Sequence, residues 1–300
     1  MPSVFKKPAV IVVVVIIVFC TLVFFALYRK SRVTPTKLDD TKSLVTYKVI
    51  GTSVQGRKIE SYTYLPAQAG GKKRKLLLFV GGIHGGYEWN SVLLAYQFID
   101  YLDKNLEIIP DGLTVTVIPD ANPDGVFTVT GKVGSFTIAN VSTSTKILAS
   151  GRFNANEVDL NRNFDCKWQP DAVWQSKKVS AGSAVFSEPE TIAIKNFVLE
   201  NNPDAVIFWH SQSNAVYASE CNNGILPETL NTMDTYARAS GYPAIKSFDA
   251  YEITGDAEGW LASINIPAIT VELKTHNTIE WEQNLSGIKA LFEYYTKPEI

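Results

Sequence analysis

Two histidines stand in short segments that invite metal chemistry. One is Gly81-Gly82-Ile83-His84-Gly85-Gly86-Tyr87-Glu88-Trp89, where Glu88 follows His84 by four positions; the other is Phe208-Trp209-His210-Ser211. A further acid, Glu272, closes the apolar run Ile266-Pro267-Ala268-Ile269-Thr270-Val271-Glu272-Leu273. Two imidazoles and one carboxylate are a full protein ligand set for a catalytic zinc, which keeps its fourth position for water. A separate carboxylate beside that water serves as its general base. Singly, each residue has a plainer explanation: a hydrogen-bonded core histidine, or a charge at a strand end. Their joint placement is what favours a zinc hydrolase.

That placement follows from the elements around them. Residues 76–80 and 205–209 are continuous apolar runs, the pattern of strands buried on both faces. His84 lies just past the first, His210 ends the second, and Glu272 ends a third strand at 268–272. Alternating apolar residues around a turn predict a hairpin over 46–59, and residues 113–118 predict another strand. Helical spacing covers 89–102, 188–200, 226–241 and 280–295. Residues 126–156 lack clear periodicity and read as a long surface excursion. Strands alternating with helices predict a three-layer α/β/α domain around a mostly parallel, mixed central sheet. Ligands of such sheets gather at the C-terminal strand ends, where these three segments would converge.

The chain has 300 residues, and its N-terminus departs from globular patterning. Residues 9–28 are twenty consecutive uncharged, almost wholly apolar residues. As a helix they extend about 30 Å, enough to cross a bilayer. A cleaved signal peptide is the competing reading, but no small-residue cleavage site follows the run. The expected organisation is therefore a cytoplasmic stub and one transmembrane helix in 1–32, a polar linker over 33–44, and a catalytic domain over 45–300. Basic flanking charge is slightly greater after the run, which taken alone would leave the domain in the cytoplasm. Long domains cross largely regardless of flanking charge, and the reading favours the extracytoplasmic side. Residues 1–32 contain five Lys and Arg and no acid, so the rest keeps 23 of the chain's 28 basic residues against 30 acidic ones. An acidic domain disfavours a nucleic-acid partner. Cys166 and Cys221 could pair in an exported domain or be two unrelated thiols.

From about Tyr47 to Leu273 the chain resembles the zinc carboxypeptidases, the carboxypeptidase A-like metallopeptidases. Ile50-Gly-Thr-Ser-Val-Gln-Gly-Arg-Lys-Ile59 resembles the family's Gly-x-Ser-x-Glu-Gly-Arg-x-Ile opening, with Gln55 for the usual Glu. Gly82-Ile-His84 with Glu88-Trp89, Asn122-Pro-Asp-Gly125, Val158-Asp-Leu-Asn-Arg-Asn-Phe164, His210-Ser211, Tyr251 nine residues before Trp260, and the Glu272 segment follow in the family's order. One departure concerns the metal. The family spaces its first histidine and glutamate as His-x-x-Glu, and here one residue is added.

The resemblance implies one Zn2+ ion held by His84, Glu88 and His210. Asp159 would accept the other ring N–H of His84 and fix its tautomer. Asn161 and Arg162 would hold the free C-terminal carboxylate of the substrate, Arg162 through its planar fork. Tyr251 would close over it. Glu272 would take a proton from the attacking water and pass it to the leaving amine. Arg152 is the candidate for stabilising the oxyanion, and Glu258 for selecting the terminal side chain. An acid there would favour Lys, Arg or the amine of diaminopimelate. The implied activity is a metallocarboxypeptidase for peptides or cell-wall peptides. A stem-peptide amidase, a deacylase of small acylated amino acids, or a non-catalytic binding module are the alternatives.

Overall fold

The computed structural model describes residues 44–66 and 74–297. The apolar run 9–28 and nearly all of the linker lie outside them. Among the described residues, no helix is long and apolar enough to cross a membrane.

An eight-stranded mixed sheet forms the middle of the molecule. Its strands are β1 (Val45–Thr52), β2 (Lys58–Tyr64), β3 (Lys75–Val80), β4 (Leu113–Ile118), β7 (Ala205–Ser211), β8 (Ala215–Ala218), β11 (Ala244–Ile245) and β12 (Ala268–Leu273). Their order is β1-β2-β4-β3-β7-β12-β8-β11. The centre, β4-β3-β7-β12, is parallel; β1 pairs antiparallel with β2, β2 with β4 and β8 with β12, while β11 runs parallel to β8. Two smaller pairs, β5 (Asp171–Trp174) with β6 (Lys177–Ser180) and β9 (Glu220–Cys221) with β10 (Gly224–Ile225), lie outside this sheet.

Alternation along each central strand divides the core into two layers. Leu77, Phe79, Ile207, Trp209, Ile269 and Val271 face one layer. It is closed by α1 (Trp89–Leu102), α5 (Pro227–Ser240) and α7 (Trp281–Thr296) through Phe98, Tyr236 and Phe292. Leu78, Val80, Val206, Phe208 and Ala268 face the other, beneath α4 (Pro189–Asn201) and α6 (Ala257–Ser263), with Phe197, Trp260 and Leu261. Each fully buried large side chain contributes about 1.5–3 kcal/mol from burial alone. The same parity settles the site: His210, two residues beyond Phe208, shares a face with α6, and the β7–β12 register sets Glu272 beside it.

The excursion over 126–156 holds more order than its sequence suggests. It contains most of α2 (Pro123–Thr130) and all of α3 (Thr145–Ser150). The α2 helix is fixed locally: Asn122 caps it by accepting from Gly125 N at 3.0 Å, Pro123 opens it, and Gly131 ends it in the left-handed region. Both helices are shorter than the stretch that periodicity needs to declare itself. The same holds for α6, which Asp256 caps through Gly259 N at 2.7 Å.

Candidate active site

Ring and carboxylate atoms of His84, Glu88 and His210 come within 4.8 Å of one another. All three residues are buried, at 3–4% exposure. His84 leaves β3 through Gly81-Gly82, and a 3-10 turn, Gly85–Glu88, carries the chain into α1. That turn contains the three residues that separate His84 from Glu88. Gly85 takes a φ of +47°, and a Cβ there would stand 2.5 Å from the Gly151 carbonyl oxygen. Glycine alone adopts that conformation at no steric cost. At Gly86 a Cβ would meet Val129 at 2.5 Å.

Hydrogen-bond chemistry decides which nitrogen of each histidine is available. Arg152 Nη2 lies 3.2 Å from His84 Nε2. A guanidinium only donates, so Nε2 offers its lone pair and the proton sits on Nδ1. Nδ1 faces Asp159 Oδ1 at 3.3 Å and has no well-aligned hydrogen bond. Burial, then Arg152, lowers the His84 pKa to about 4, so the ring is neutral. Burial alone would raise Asp159, but Arg152 and His84 outweigh it and hold that carboxylate well below its ordinary range. Arg152 Nε donates to Asp159 Oδ2 at 2.8 Å, and its guanidinium stacks 4.5 Å over the Trp174 ring.

His210 stands between two acids. Its Nδ1 is 3.2 Å from Glu88 Oε2 and its Nε2 is 3.0 Å from Glu258 Oε1. Burial opposes the charged ring, yet Glu258 and Glu88 prevail and raise its pKa well above the ordinary value. Burial likewise opposes ionisation of Glu88, while the imidazoles and Arg152 draw its pKa down to about 2. Three buried carboxylates, Glu88, Asp159 and Glu258, therefore face one arginine and one imidazolium. The donor set fits a divalent cation: the proton on His210 Nδ1 occupies the lone pair that a metal would take, and metal binding releases such protons.

A cleft of about 510 Å³ opens over this cluster. Asn161 and Arg162 line it, supplied by the loop that passes beneath α6. Asn161 accepts from Ala257 N at 2.8 Å and donates to Glu258 Oε2 at 3.3 Å. Arg162 gives Nε to the Val173 carbonyl at 3.1 Å and Nη1 to that of Asn161. Among the described residues its Nη2 makes no hydrogen bond, which leaves it for an anion. Tyr251 lines the cleft, its ring edge-on to Phe248 at 4.9 Å. Glu272 lines it too, accepting from Ser213 N at 3.1 Å. Burial, then the nearby Glu88 charge, raises the Glu272 pKa to about 7. The cleft thus gathers every residue singled out from sequence except Asp159, which supports His84 from behind. Glu258 also lines the cleft, but both its oxygens already accept from protein groups, including Thr270 Oγ1 at 3.1 Å.

Among the cleft residues that escaped sequence reasoning are Tyr87, Trp174 and His276. Their rings form one wall, Tyr87 lying edge-on to Trp174 at 5.0 Å and to His276 at 4.8 Å. The available signal was that His276 is the third histidine of the chain and follows Glu272 by four residues. Cys166 and Cys221 are joined as a disulfide, which ties the loop after Phe164 to β9.

Comparison with known proteins gives a consistent setting. A family model described as zinc carboxypeptidase matches residues 36–285. Gamma-D-glutamyl-L-diamino acid endopeptidase 1 of Lysinibacillus sphaericus is 27% identical over 223 residues, covering 68% of this chain and 55% of its own length. The chain thus spans little more than half of that relative. The murein-tripeptide amidase of Escherichia coli O157 superposes with a TM-score of 0.54 at 22% identity, over 85% of this chain and 93% of that one. A carboxypeptidase A from Helicoverpa armigera gives 0.59 at 18% identity, over 84% and 68%. At those identities the two structures speak for the fold alone.

Proposed function

The chain belongs to the zinc carboxypeptidase family, and we propose that it uses one zinc ion, held by His84, Glu88 and His210, to hydrolyse the C-terminal peptide bond of a peptide with a free terminal carboxylate. The observation that carries this reading is the convergence of that ligand set, Glu272 and Arg162 on one cleft. Bound there, zinc would polarise the scissile carbonyl and lower the pKa of a water. The remaining work falls to the chain. Arg162 and Asn161 fix the terminal carboxylate, Arg162 with its unspent Nη2, and so place the last peptide bond at the ligand cluster. Tyr251, whose hydroxyl makes no hydrogen bond among the described residues, covers the substrate and excludes solvent. Glu272 receives the proton of the attacking water and delivers it to the leaving nitrogen. Arg152, a buried cation beside the ligands, stabilises the negative charge that develops on the carbonyl oxygen. The test compares a peptide with its C-terminal amide, using zinc-loaded protein. A hydrogen bond to a charged group is worth about 1.5–3 kcal/mol, so amidation should lower kcat/KM by roughly 10–150-fold. Equal cleavage of both peptides would remove Arg162 from this role.

For the substrate class we favour cell-wall stem peptides ending in a diamino acid. Support comes from the names of the relatives, a gamma-D-glutamyl-L-diamino acid endopeptidase and a murein-tripeptide amidase. Glu258 is the acid that could meet the second amine, but its contacts favour a prior duty. It accepts from His210 Nε2, the arrangement by which a carboxylate orients a metal-binding imidazole. The two duties separate in Glu258→Gln. If Glu258 serves His210, zinc affinity measured by chelator competition falls about 10–100-fold. If it serves only as selector, zinc affinity stands and the preference for C-terminal Lys or diaminopimelate over Phe is lost.

We also propose that residues 9–28 anchor the chain in a membrane, with the catalytic domain on the extracytoplasmic side. The Cys166–Cys221 disulfide supports that side, because disulfides persist in oxidising compartments. A reporter enzyme active only after export, fused behind Ile300, tests it: an inactive fusion would place the domain in the cytoplasm.

A further inference from the structure

The proton on His276 is dictated by a chain of hydrogen bonds that begins in the backbone. Asn90, in the first turn of α1, donates from Nδ2 to the carbonyls of Thr275 at 2.7 Å and Thr278 at 2.9 Å. Carbonyls only accept, so this end of the side chain is the NH₂ and the other end, Oδ1, is an acceptor. Ser211 Oγ lies 2.9 Å from Asn90 Oδ1 and must give it the single hydroxyl proton. Toward His276 Nδ1, 2.7 Å away, Ser211 then has only lone pairs. Nδ1 therefore carries the hydrogen. Burial keeps the His276 pKa below its ordinary value, so the ring is neutral and Nε2 is left with a bare lone pair. The two ring nitrogens point away from each other, and His276 lines the cleft. Among the described residues, Nε2 has no hydrogen-bond partner. The packing of Tyr87 against the ring holds it in place.

We propose that His276 is a specificity-determining residue whose Nε2 accepts a hydrogen bond from a substrate N–H on the amino-terminal side of the bond that is cut. The proposal rests on the reading above, in which Asn161 and Arg162 take the terminal carboxylate. Those two residues are joined to α6 through Ala257 and Glu258. His276 is joined instead to Tyr87 and Ser211, the neighbours in sequence of Glu88 and His210. A peptide with its carboxylate on Arg162 and its last carbonyl at the ligand cluster must lay its preceding residue along this other wall. The backbone N–H of that residue, or an amine it carries, is the donor that a fixed imidazole lone pair selects. An ester oxygen or an N-methyl group at that position leaves Nε2 unpaired in a half-buried wall, which is costly.

Two measurements test this on the full, zinc-loaded chain. Nitrogen-15 spectra of the imidazoles read the tautomer without substrate, and the Nδ1–H form is expected; an Nε2–H form overturns the proposal. The second compares a peptide with its analogue methylated at the N–H of the residue before the scissile bond. In the wild type, methylation should lower kcat/KM about tenfold or more. In His276→Phe, which keeps a ring against Tyr87, the ratio should fall to near unity. His276→Asn, which keeps a donor for Ser211 and lacks the Nε2 acceptor, should behave alike, so a folding defect in one variant does not decide the matter. Equal methylation ratios in wild type and both variants overturn the proposal alone. If the zinc-loaded wild type cuts no peptide, the reading of the reaction fails and takes this one with it.

Discussion

Glu272→Gln should lower kcat by about 10²–10⁴-fold while leaving zinc bound, because it removes a general base and nothing else. Glutamine matches glutamate in size and can still accept from Ser213 N, the contact that holds the side chain at 3.1 Å. It cannot take a proton from water. The three proposed ligands come from other positions, so metal content, read by atomic emission, should match wild type. Full activity in this variant would sink the mechanism. In the proposed mechanism the same residue should set the acid limb of the pH profile. A base works only when ionised, so kcat/KM must rise with pH through the Glu272 pKa. Burial, then the Glu88 charge, raises that pKa from 4.5 to about 7 in the metal-free chain. A nearby cation favours the carboxylate and draws the value down again. The limb should therefore fall between those two values. A limb at or below 4.5 would mean that another group is the base.

The strand ends were legible because buried parallel strands write themselves as apolar runs, and a polar residue closing such a run is conspicuous. His210 and Glu272 could be assigned to one edge on that ground alone. Their adjacency could not, since it depends on the β7–β12 register, and register is a matter of pairing between segments some sixty residues apart. Glu258 shows a second limit. Counting along the chain places it near a substrate side chain, whereas its contact with His210 arises from α6 packing over β7, with Gly255 turning the chain into that helix at a φ of +70°. No spacing rule encodes that contact. His276 is the clearest case. Its tautomer depends on Asn90 and Ser211, which lie 186 and 65 residues away, and on carbonyls that carry no side-chain signature. Local pattern finds what strands and caps announce. Networks closed by tertiary packing stay silent until the packing is known.

The second large effect belongs to Glu88→Ala, which should abolish zinc binding at working concentrations and activity with it. Glu88 lies one position later than the family's spacing, so its identity as the third ligand is the point most open to refutation. The geometry argues for it on two grounds. Its Oε2 meets His210 Nδ1 at 3.2 Å and Ser211 N at 3.1 Å, so the carboxylate is aimed at the ring nitrogen that would bind the metal. Its Oε1 stands 3.7 Å from Arg152 Nη1, beside the His84 lone pair. Alanine leaves two imidazoles and no carboxylate between them, and His210 then answers to Glu258 alone. Loss of a ligand must exceed the 10–100-fold that an outer partner is worth, so chelator competition should show a far larger drop in zinc affinity. The metal-free chain should also lose stability, since removing one member of a buried charge network costs about 3–5 kcal/mol. Glu88→Gln separates these effects, because it keeps the volume and the acceptor for Ser211 N while removing the charge. If either variant holds one zinc per chain at wild-type affinity, the ligand is a different carboxylate. Glu272, in register with His210, is then the first to test, and the general base must be sought elsewhere.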